Sequence, residues 1–337
     1  MIPEPSLSVI VCAYTLDRWD DIQAAIASVR SQHRPADDIV LVVDHCPQLW
    51  RLARRSLSGI RVLPNLQRKG LSGARNTGVA AALGDVVAFL DDDAAAAPSW
   101  TQHLLAHYDD PRVVGVGGLV VANWHTGRPA WFPPEFDWVV GCSYRGLPQR
   151  SAPVRNFIGA NMSFRRDELL AVGGFRTDLG RVGSRPLGCE ETELCLRITA
   201  HHPDAVLLYE PAAAVRHHVP KARARWQYFG QRCYAEGLSK ALVVQHSGSR
   251  AALASERTYL RSTIPRAFLR SVRPGRPAAL RTLTALSAGV GATVAGYAMG
   301  RIRSVRSVGL GPPGPASPIG PVLRSSSDTG TGRVASR

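Results

Sequence analysis

The chain has 337 residues, long enough for one large α/β domain or two modest ones, and its 45% hydrophobic content is that of a globular protein with a sizeable core. Its 41 Lys and Arg outnumber 26 Asp and Glu, a formal charge of +15 that calls for an anionic partner such as nucleic acid, acidic lipid or a phosphorylated substrate. The cysteines Cys12, Cys46, Cys142, Cys189, Cys195 and Cys233 form no CxxC pair and no zinc-like spacing. This argues against a disulfide framework or a metal knuckle and for a reducing cytosol.

The opening Met1-Ile2-Pro3-Glu4-Pro5 runs straight into a strand-like segment, without the charged and apolar regions of a secretory signal, so an intracellular location is expected. Residues 7–13 read as a first buried strand, and Ile22, Ala25, Ile26 and Val29 then recur at helical spacing up to Arg34-Pro35. Residues 39–43 predict a second strand that ends at Asp44, and residues 60–63 a third. A helix over about residues 71–83 precedes the fourth strand at 86–90. Strands alternating with helices predict a mostly parallel sheet with right-handed crossovers.

Asp91-Asp92-Asp93 stands at the carboxyl end of that fourth strand, where ligands gather in open α/β sheets. Asp91-x-Asp93 can offer oxygen ligands to a hard divalent ion that keeps open positions for phosphate; the competing reading is a polar turn serving a helix that starts near Pro98. Ala13 closes the first strand, Tyr14 follows it and Asp44 ends the second, so all reach the same sheet edge, where a ring and a carboxylate suit a nucleobase. Lys69, Gly70 and Arg75 stand at the entry of the third-strand crossover helix, in a setting that welcomes an anion through backbone N–H groups. The segment has neither the GxxxxGK[ST] loop nor the dinucleotide fingerprint, which weighs against kinases and dehydrogenases.

In the second half, residues 113–121 and 156–164 read as strands. Between them, residues 123–150 carry Trp124, Trp131, Phe132, Phe136, Trp138 and Tyr144 among prolines and glycines. Such a segment suits a binding loop with aromatic faces for sugar or lipid, or else a small packed core under a loop. Glu190-Glu191-Thr192-Glu193 opens an apolar-periodic helix; one of its first two acids can take a proton from an attacking hydroxyl, or all can simply complement the helix dipole. A strand at 205–209, His217-His218 and a helix at about 224–244 follow.

The globular part is expected to end near Ser255. From Arg257 to Ser327 there are eleven arginines and no acidic residue, which accounts for most of the excess charge. Residues 282–300 are nineteen uncharged residues that either span a membrane or lie along it, with Ala292, Gly296 and Gly300 spaced for close helix contact. Residues 311–337, rich in Gly, Pro and Ser, read as a disordered tail. The expected domains are thus 1–255 as the catalytic unit, 256–310 as a basic membrane-associating helical extension and 311–337 as the tail.

Together these motifs resemble a family 2 glycosyltransferase of the GT-A fold, an α/β Rossmann-like mixed sheet flanked by helices. The resemblance rests on Ser8-Val9-Ile10-Val11-Cys12-Ala13-Tyr14, Asp44, Gly70-Leu71-Ser72-Gly73-Ala74-Arg75-Asn76, Phe89-Leu90-Asp91-Asp92-Asp93, Gly159-Ala160-Asn161-Met162, Gly173-Gly174-Phe175 and Glu190-Glu191-Thr192-Glu193-Leu194, in that order over about residues 6–245. It implies inverting transfer from a nucleotide-diphosphate sugar, with a UDP-sugar expected, and Mg²⁺ or Mn²⁺ stabilising the departing diphosphate.

By position, the resemblance gives Ala13, Tyr14, Asp44, Lys69, Gly70, Arg75, Asp91 and Asp92 to the donor and Asp93, Asp91 and His217 to the metal. It gives Glu191, beside Glu190, to the general base, and Gly159, Ala160, Asn161 and Trp138 to the acceptor. Where the family usually has Glu-Asp, this chain has Glu190-Glu191, whose base reaches one methylene farther.

Phe136-Asp137-Trp138-Val139-Val140-Gly141-Cys142 and Gln231-Arg232-Cys233-Tyr234-Ala235-Glu236-Gly237 are similar to a branch with glucuronosyltransferases acting on polyprenyl-phosphate-linked sugars. That branch implies a glycan or polyprenyl-phosphate-linked acceptor at an anionic membrane surface, on the cytoplasmic inner face. No nucleic acid is expected, because the basic charge is concentrated after Glu256 without an aromatic-basic RNA signature. A nucleotidyltransferase, or a scaffold that has lost catalysis, are the alternative readings.

Overall fold

The computed structural model describes residues 4–180, 188–248, 252–272 and 279–307; the expected tail at 311–337 lies outside them. One mixed sheet organises the fold. Its strands are β1 (Leu7–Ala13), β2 (Asp38–Val43), β3 (Arg61–Pro64), β4 (Val86–Asp91), β5 (Ala94–Ala96), β6 (Val113–Trp124), β7 (Ala152–Pro153), β8 (Asn161–Arg165) and β9 (Val206–Val219). They lie in the order β3-β2-β1-β4-β8-β6-β9-β5, with β7 paired to β9. β1 to β4 are mutually parallel, as their helical crossovers require, and β8 enters antiparallel to both β4 and β6.

The apolar strands are continuous because both faces of the sheet are covered. Alternate residues separate cleanly: Val9, Val11, Val86, Ala88 and Leu90 pack on α1 (Trp19–Arg30) through Ile22, Ala25, Ile26 and Val29. Ile10, Val87 and Phe89 face the other way, toward α3 (Leu71–Ala81) and α6 (Glu190–His201) through Ala74, Val79, Leu194, Cys195 and Ile198. Full burial of each Val, Leu or Ile contributes about 1.5–3 kcal/mol. The short helices α2 (Pro47–Ser56), α4 (Trp100–Leu105) and α5 (Arg166–Ala171) complete the layers.

Strand eight starts later than the sequence pattern suggests. Residues 156–160 turn before the strand, with Asn161 N donating to Ile158 O at 3.0 Å, and they line a cleft instead of joining the ladder. Strand β9, by contrast, runs well past residue 209 to Val219, and this extension carries His217. The aromatic segment forms a small core: Phe132 and Phe136 are buried, and Trp131 stacks on Trp226 with centroids 4.0 Å apart.

Beyond β9 come α7 (Trp226–Ser247), α8 (Ala254–Thr258), a π-helical turn, α9 (Ile264–Ser271) and α10 (Ala279–Ser307). Glu256 accepts from Arg155 and pairs with Lys240, and Tyr259 Oη donates to Glu135 O at 2.8 Å, which ties these segments to the sheet domain. α10 approaches α7 backbone to backbone at two glycines: a Cβ on Gly296 would stand 2.0 Å from Tyr234 O and one on Gly237 2.1 Å from Thr293 O. The four-residue spacing of small residues thus makes a helix contact within the chain. α10 is also long and apolar enough, by length and composition, to cross a membrane.

Candidate active site

A cleft of about 620 Å³ opens at the carboxyl end of the parallel strands, between the sheet and the C-terminal helices. The acids reach it because β4 ends at Asp91, whose neighbour across the ladder is Cys12 at the end of β1. The chain then turns at once into β5, which pairs antiparallel with β9 so that Ala94 faces His217. That pairing brings His217, distant in sequence, to Asp93: His217 Nε2 stands 3.0 Å from Asp93 Oδ1.

Asp91, Asp93 and His217 offer ligand atoms all within 4.8 Å of one another. Asp93 Oδ1 is buried without an aligned hydrogen-bond donor, despite the nearby imidazole, so the three groups fit a divalent cation held between them. Behind the imidazole, Cys142 Sγ lies 3.6 Å from His217 Nδ1 and steadies the ring. Burial opposes the charge on Asp93, but His217, Arg18 and Arg223 outweigh it and hold the carboxyl well below the usual range.

Asp92 has a different setting. It is buried against Arg18, with Nη1 2.5 Å from its Oδ1, and desolvation, reinforced by Asp93 and Asp91, pushes its carboxyl up to about 7. Arg18 and Arg223 escaped sequence reasoning because only the fold brings them to the acids; Arg223 Nη2 lies 3.5 Å from Asp93 Oδ2.

Arg75 crosses the floor of the cleft. Its Nη1 donates to Glu190 Oε1 at 3.0 Å and its Nη2 to Gly159 O at 3.0 Å, with Asp91 Oδ1 at 3.5 Å. A Cβ at Gly159 would stand 2.9 Å from that guanidinium and push it aside. Glu190 is thus occupied by Arg75, whereas among the described residues the Glu191 side chain has no side-chain hydrogen-bond partner, and it too lines the cleft. The two acids open α6 behind Cys189, whose positive φ of 72° sets the helix start. Burial, then the charge of Glu190, push the Glu191 carboxyl up to about 8.

Arg75, Asp91, Trp138, Gly159, Ala160, Glu190, Glu191 and His217 therefore share one cleft. Ala13, Tyr14, Asp44, Lys69 and Gly70 form a neighbouring group and are not among its lining residues. Asp44 N donates to Ala13 O at 2.7 Å, and the Asp44 carboxylate accepts from Gly70 N at 2.9 Å and Asn65 Nδ2 at 2.7 Å. Tyr14 is exposed beside Arg18, and Lys69 is exposed. Asn161 is wholly buried: its Oδ1 accepts from Trp100 and its Nδ2 donates to Leu119 O and Ala213 O, a brace between strands that is also not among the cleft-lining residues.

Residues 8–171 match the model of Glycosyl transferase family 2. The glucosyl-dolichyl phosphate glucuronosyltransferase of Haloferax volcanii is 34% identical over 241 residues, covering 70% of this chain and 77% of that protein. The chain belongs to glycosyl transferase family 2. The succinoglycan biosynthesis protein ExoM of Rhizobium meliloti is 25% identical over 240 residues, covering 68% of this glycosyltransferase and 72% of ExoM.

Among solved structures, the mannosyltransferase PcManGT of Pyrobaculum calidifontis, in complex with GDP-Man and Mn²⁺, superposes with a TM-score of 0.56 at 18% identity, covering 91% of this glycosyltransferase and 88% of that chain. This likeness shows the GT-A fold. The carboxyl edge that carries the Asp-x-Asp group is the part of that fold where this family 2 enzyme concentrates its buried acids and arginines.

Proposed function

We propose that this glycosyltransferase is a metal-dependent inverting enzyme that moves a sugar from a nucleoside-diphosphate donor, a UDP-sugar, to a hydroxyl of a lipid-phosphate-linked sugar. The observation that carries the reading is that Asp91 and His217, two of the three groups of the Asp91, Asp93 and His217 ligand set, line one cleft with Glu191, with Asp93 buried directly behind them. Asp91, Asp93 and His217 would hold Mg²⁺ or Mn²⁺, whose Lewis acidity neutralises the charge that grows on a departing diphosphate.

Glu191 takes the proton of the acceptor hydroxyl. The oxygen forms its bond to the anomeric carbon from the face opposite the diphosphate, and the anomeric C–O bond breaks with its electron pair leaving on the nucleoside diphosphate. One displacement inverts the centre without a covalent intermediate. Arg75 holds Glu190 and the Gly159 carbonyl, so that Glu191 is presented on a fixed helix start. Ala13, Tyr14, Asp44, Lys69, Gly70 and Asp92 form the nucleotide side of this reading; Gly159, Ala160 and Trp138 form the acceptor side.

The acceptor class is supported by the Haloferax volcanii relative, whose name gives it a glucosyl-dolichyl phosphate, and by the C-terminal helices. Leu269 and Val272 near α9 and Leu280, Val294 and Ile302 on α10 are exposed, with Arg261, Arg266 and Arg270 interleaved. Apolar and basic groups together suit an anionic membrane surface, here the cytoplasmic face, with a role in cell-envelope glycoconjugate synthesis. The test is transfer from a panel of UDP- and GDP-sugars, with Mn²⁺, to membrane-lipid extract. Release of nucleoside diphosphate that Asp93→Ala abolishes supports the reading; release of pyrophosphate from a nucleoside triphosphate instead, or an Asp93→Ala variant as active as wild type, refutes it.

A further inference from the structure

Helix α7 carries a buried charge network that the transfer step does not use. Arg232, Glu236 and Lys240 follow one another at four-residue spacing, on one face of the helix, and all three line the cleft. Arg155 and Lys240 both engage Glu256, at 2.9 and 2.8 Å to the same oxygen, while Glu236 lies 3.3 Å from Lys240 Nζ and 3.1 Å from Arg232 Nη1. Three cations face two carboxylates, so one positive charge is left over.

Arg232 is where the imbalance is sharpest. It is only 8% exposed, and among the described residues neither its Nε nor its Nη1 has a hydrogen-bond partner, the Glu236 contact being misaligned. Leaving guanidinium donors buried and unused is costly, and an always-charged guanidinium with open donors is suited to receiving an oxygen of an anion.

The position of α7 says what carries that anion. On one side it touches the start of α6, where Gly188 N donates to Ser239 Oγ at 3.1 Å and Cys189 Sγ lies 3.3 Å from Glu236. On the other side it packs on α10 through Gly237 and Gly296. The cleft wall thus runs from Glu191, through Arg232 and Lys240, to Val290 and Val294. A proton acceptor, a cation and an apolar surface in this order match a sugar hydroxyl, a phosphate and a hydrocarbon chain.

We propose that Arg232, supported by Lys240, is the subsite for the phosphate of a lipid-phosphate-linked acceptor, a proposal that rests on the acceptor class given above. The other source of an anion in the cleft is a carboxylate on the donor sugar, and the test separates the two.

Binding of farnesyl phosphate and of farnesol to the full-length protein with Mn²⁺ is followed by tryptophan fluorescence, with UDP binding measured on the same samples. Wild type should prefer farnesyl phosphate by about 10- to 100-fold, the range of one charge-assisted hydrogen bond. Arg232→Gln should remove that preference while leaving farnesol unchanged, and Arg232→Lys should keep part of it. Equal binding of the two ligands by wild type, or an unaltered preference in Arg232→Gln, overturns the proposal. So does selective loss of UDP-glucuronate over UDP-glucose binding with farnesyl phosphate unaffected, which would give the subsite to the donor. If Arg232→Gln does not fold, the wild-type pair and Arg232→Lys decide. UDP binding that survives a failed phosphate preference refutes the subsite alone, whereas its absence in wild type refutes the UDP-sugar donor.

Discussion

Arg75 Nη1 donates to Glu190 Oε1 at 3.0 Å, linking α3 to the first residue of α6 across the floor of the cleft. Both side chains are almost wholly buried, at 2% and 6% side-chain exposure. Breaking such a pair from one side costs about 3–5 kcal/mol, because the remaining charge is stranded. Arg75→Ala should therefore lower the melting temperature by roughly 10 °C, and adding Glu190→Gln should recover part of the loss. A double-mutant cycle by calorimetry gives the coupling; independent effects would show that the pair does not act as a unit.

Asp93→Asn should abolish, and His217→Ala weaken, the response of the fold to Mn²⁺. Metal at a hundredfold excess over its dissociation constant stabilises a folded state by about 2.7 kcal/mol. Wild type should melt several degrees higher with Mn²⁺ and lose the gain to EDTA, while Asp93→Asn should show the same melt in both. A full Mn²⁺ shift in Asp93→Asn would place the ion elsewhere.

The Glu191 carboxyl, pushed up from 4.5 to about 8, must be ionised to accept a proton. The rate should accordingly rise with pH through about 8, and Glu191→Gln should remove that limb together with nearly all turnover. Stability runs the other way. Between pH 4.5 and 8 the folded chain holds a proton at Glu191 that the unfolded chain has lost, so stability falls as pH rises through this window. Glu191→Gln should melt above wild type at pH 9 and close to it at pH 4; a lower melt at pH 9 would contradict this account.

Each arginine near an anionic surface contributes about 1 kcal/mol to membrane association before screening. Reversing Arg261, Arg266 and Arg270 to glutamate should weaken sedimentation with phosphatidylserine-containing vesicles by about 100-fold or more at low salt, and much less at high salt. Charge reversal is a cleaner probe than truncation after residue 255, because Glu256 and Tyr259 are bonded into the sheet domain. Arg270 also meets Glu135 Oε1 at 2.5 Å, so a melt of each single variant accompanies the assay.

Gly296→Leu should separate α10 from α7, since even a Cβ there would stand 2.0 Å from the Tyr234 carbonyl. A loss of at least about 2 kcal/mol is expected from overpacking against backbone, read as a drop in the denaturant midpoint. An unchanged midpoint would mean that the helix contact contributes nothing to stability.

The parallel half of the fold was written in local pattern. Apolar strands at β1, β2 and β4, helical spacing from Ile22 to Val29, and acids at a strand end are each set by a few neighbouring residues, and the carboxyl edge followed from their alternation. Local pattern could list Asp91, Asp92 and Asp93 but not divide their tasks. That division is made by non-local partners: the antiparallel pairing of β5 with β9 delivers His217 to Asp93, while Arg18 bridges Asp92 at 2.5 Å and Asp93 at 3.2 Å.

Likewise, Asn161 stood in a motif expected at the acceptor, yet its amide is used up between Trp100, Leu119 and Ala213. Glu190 and Glu191 were indistinguishable as sequence neighbours; both line the cleft, and only the position of Arg75 ties one and leaves the other without that partner. Sequence periodicity reports which face of an element is buried. Which charge meets which depends on contacts between residues far apart in the chain, and in a low-dielectric interior those contacts decide what each group can do.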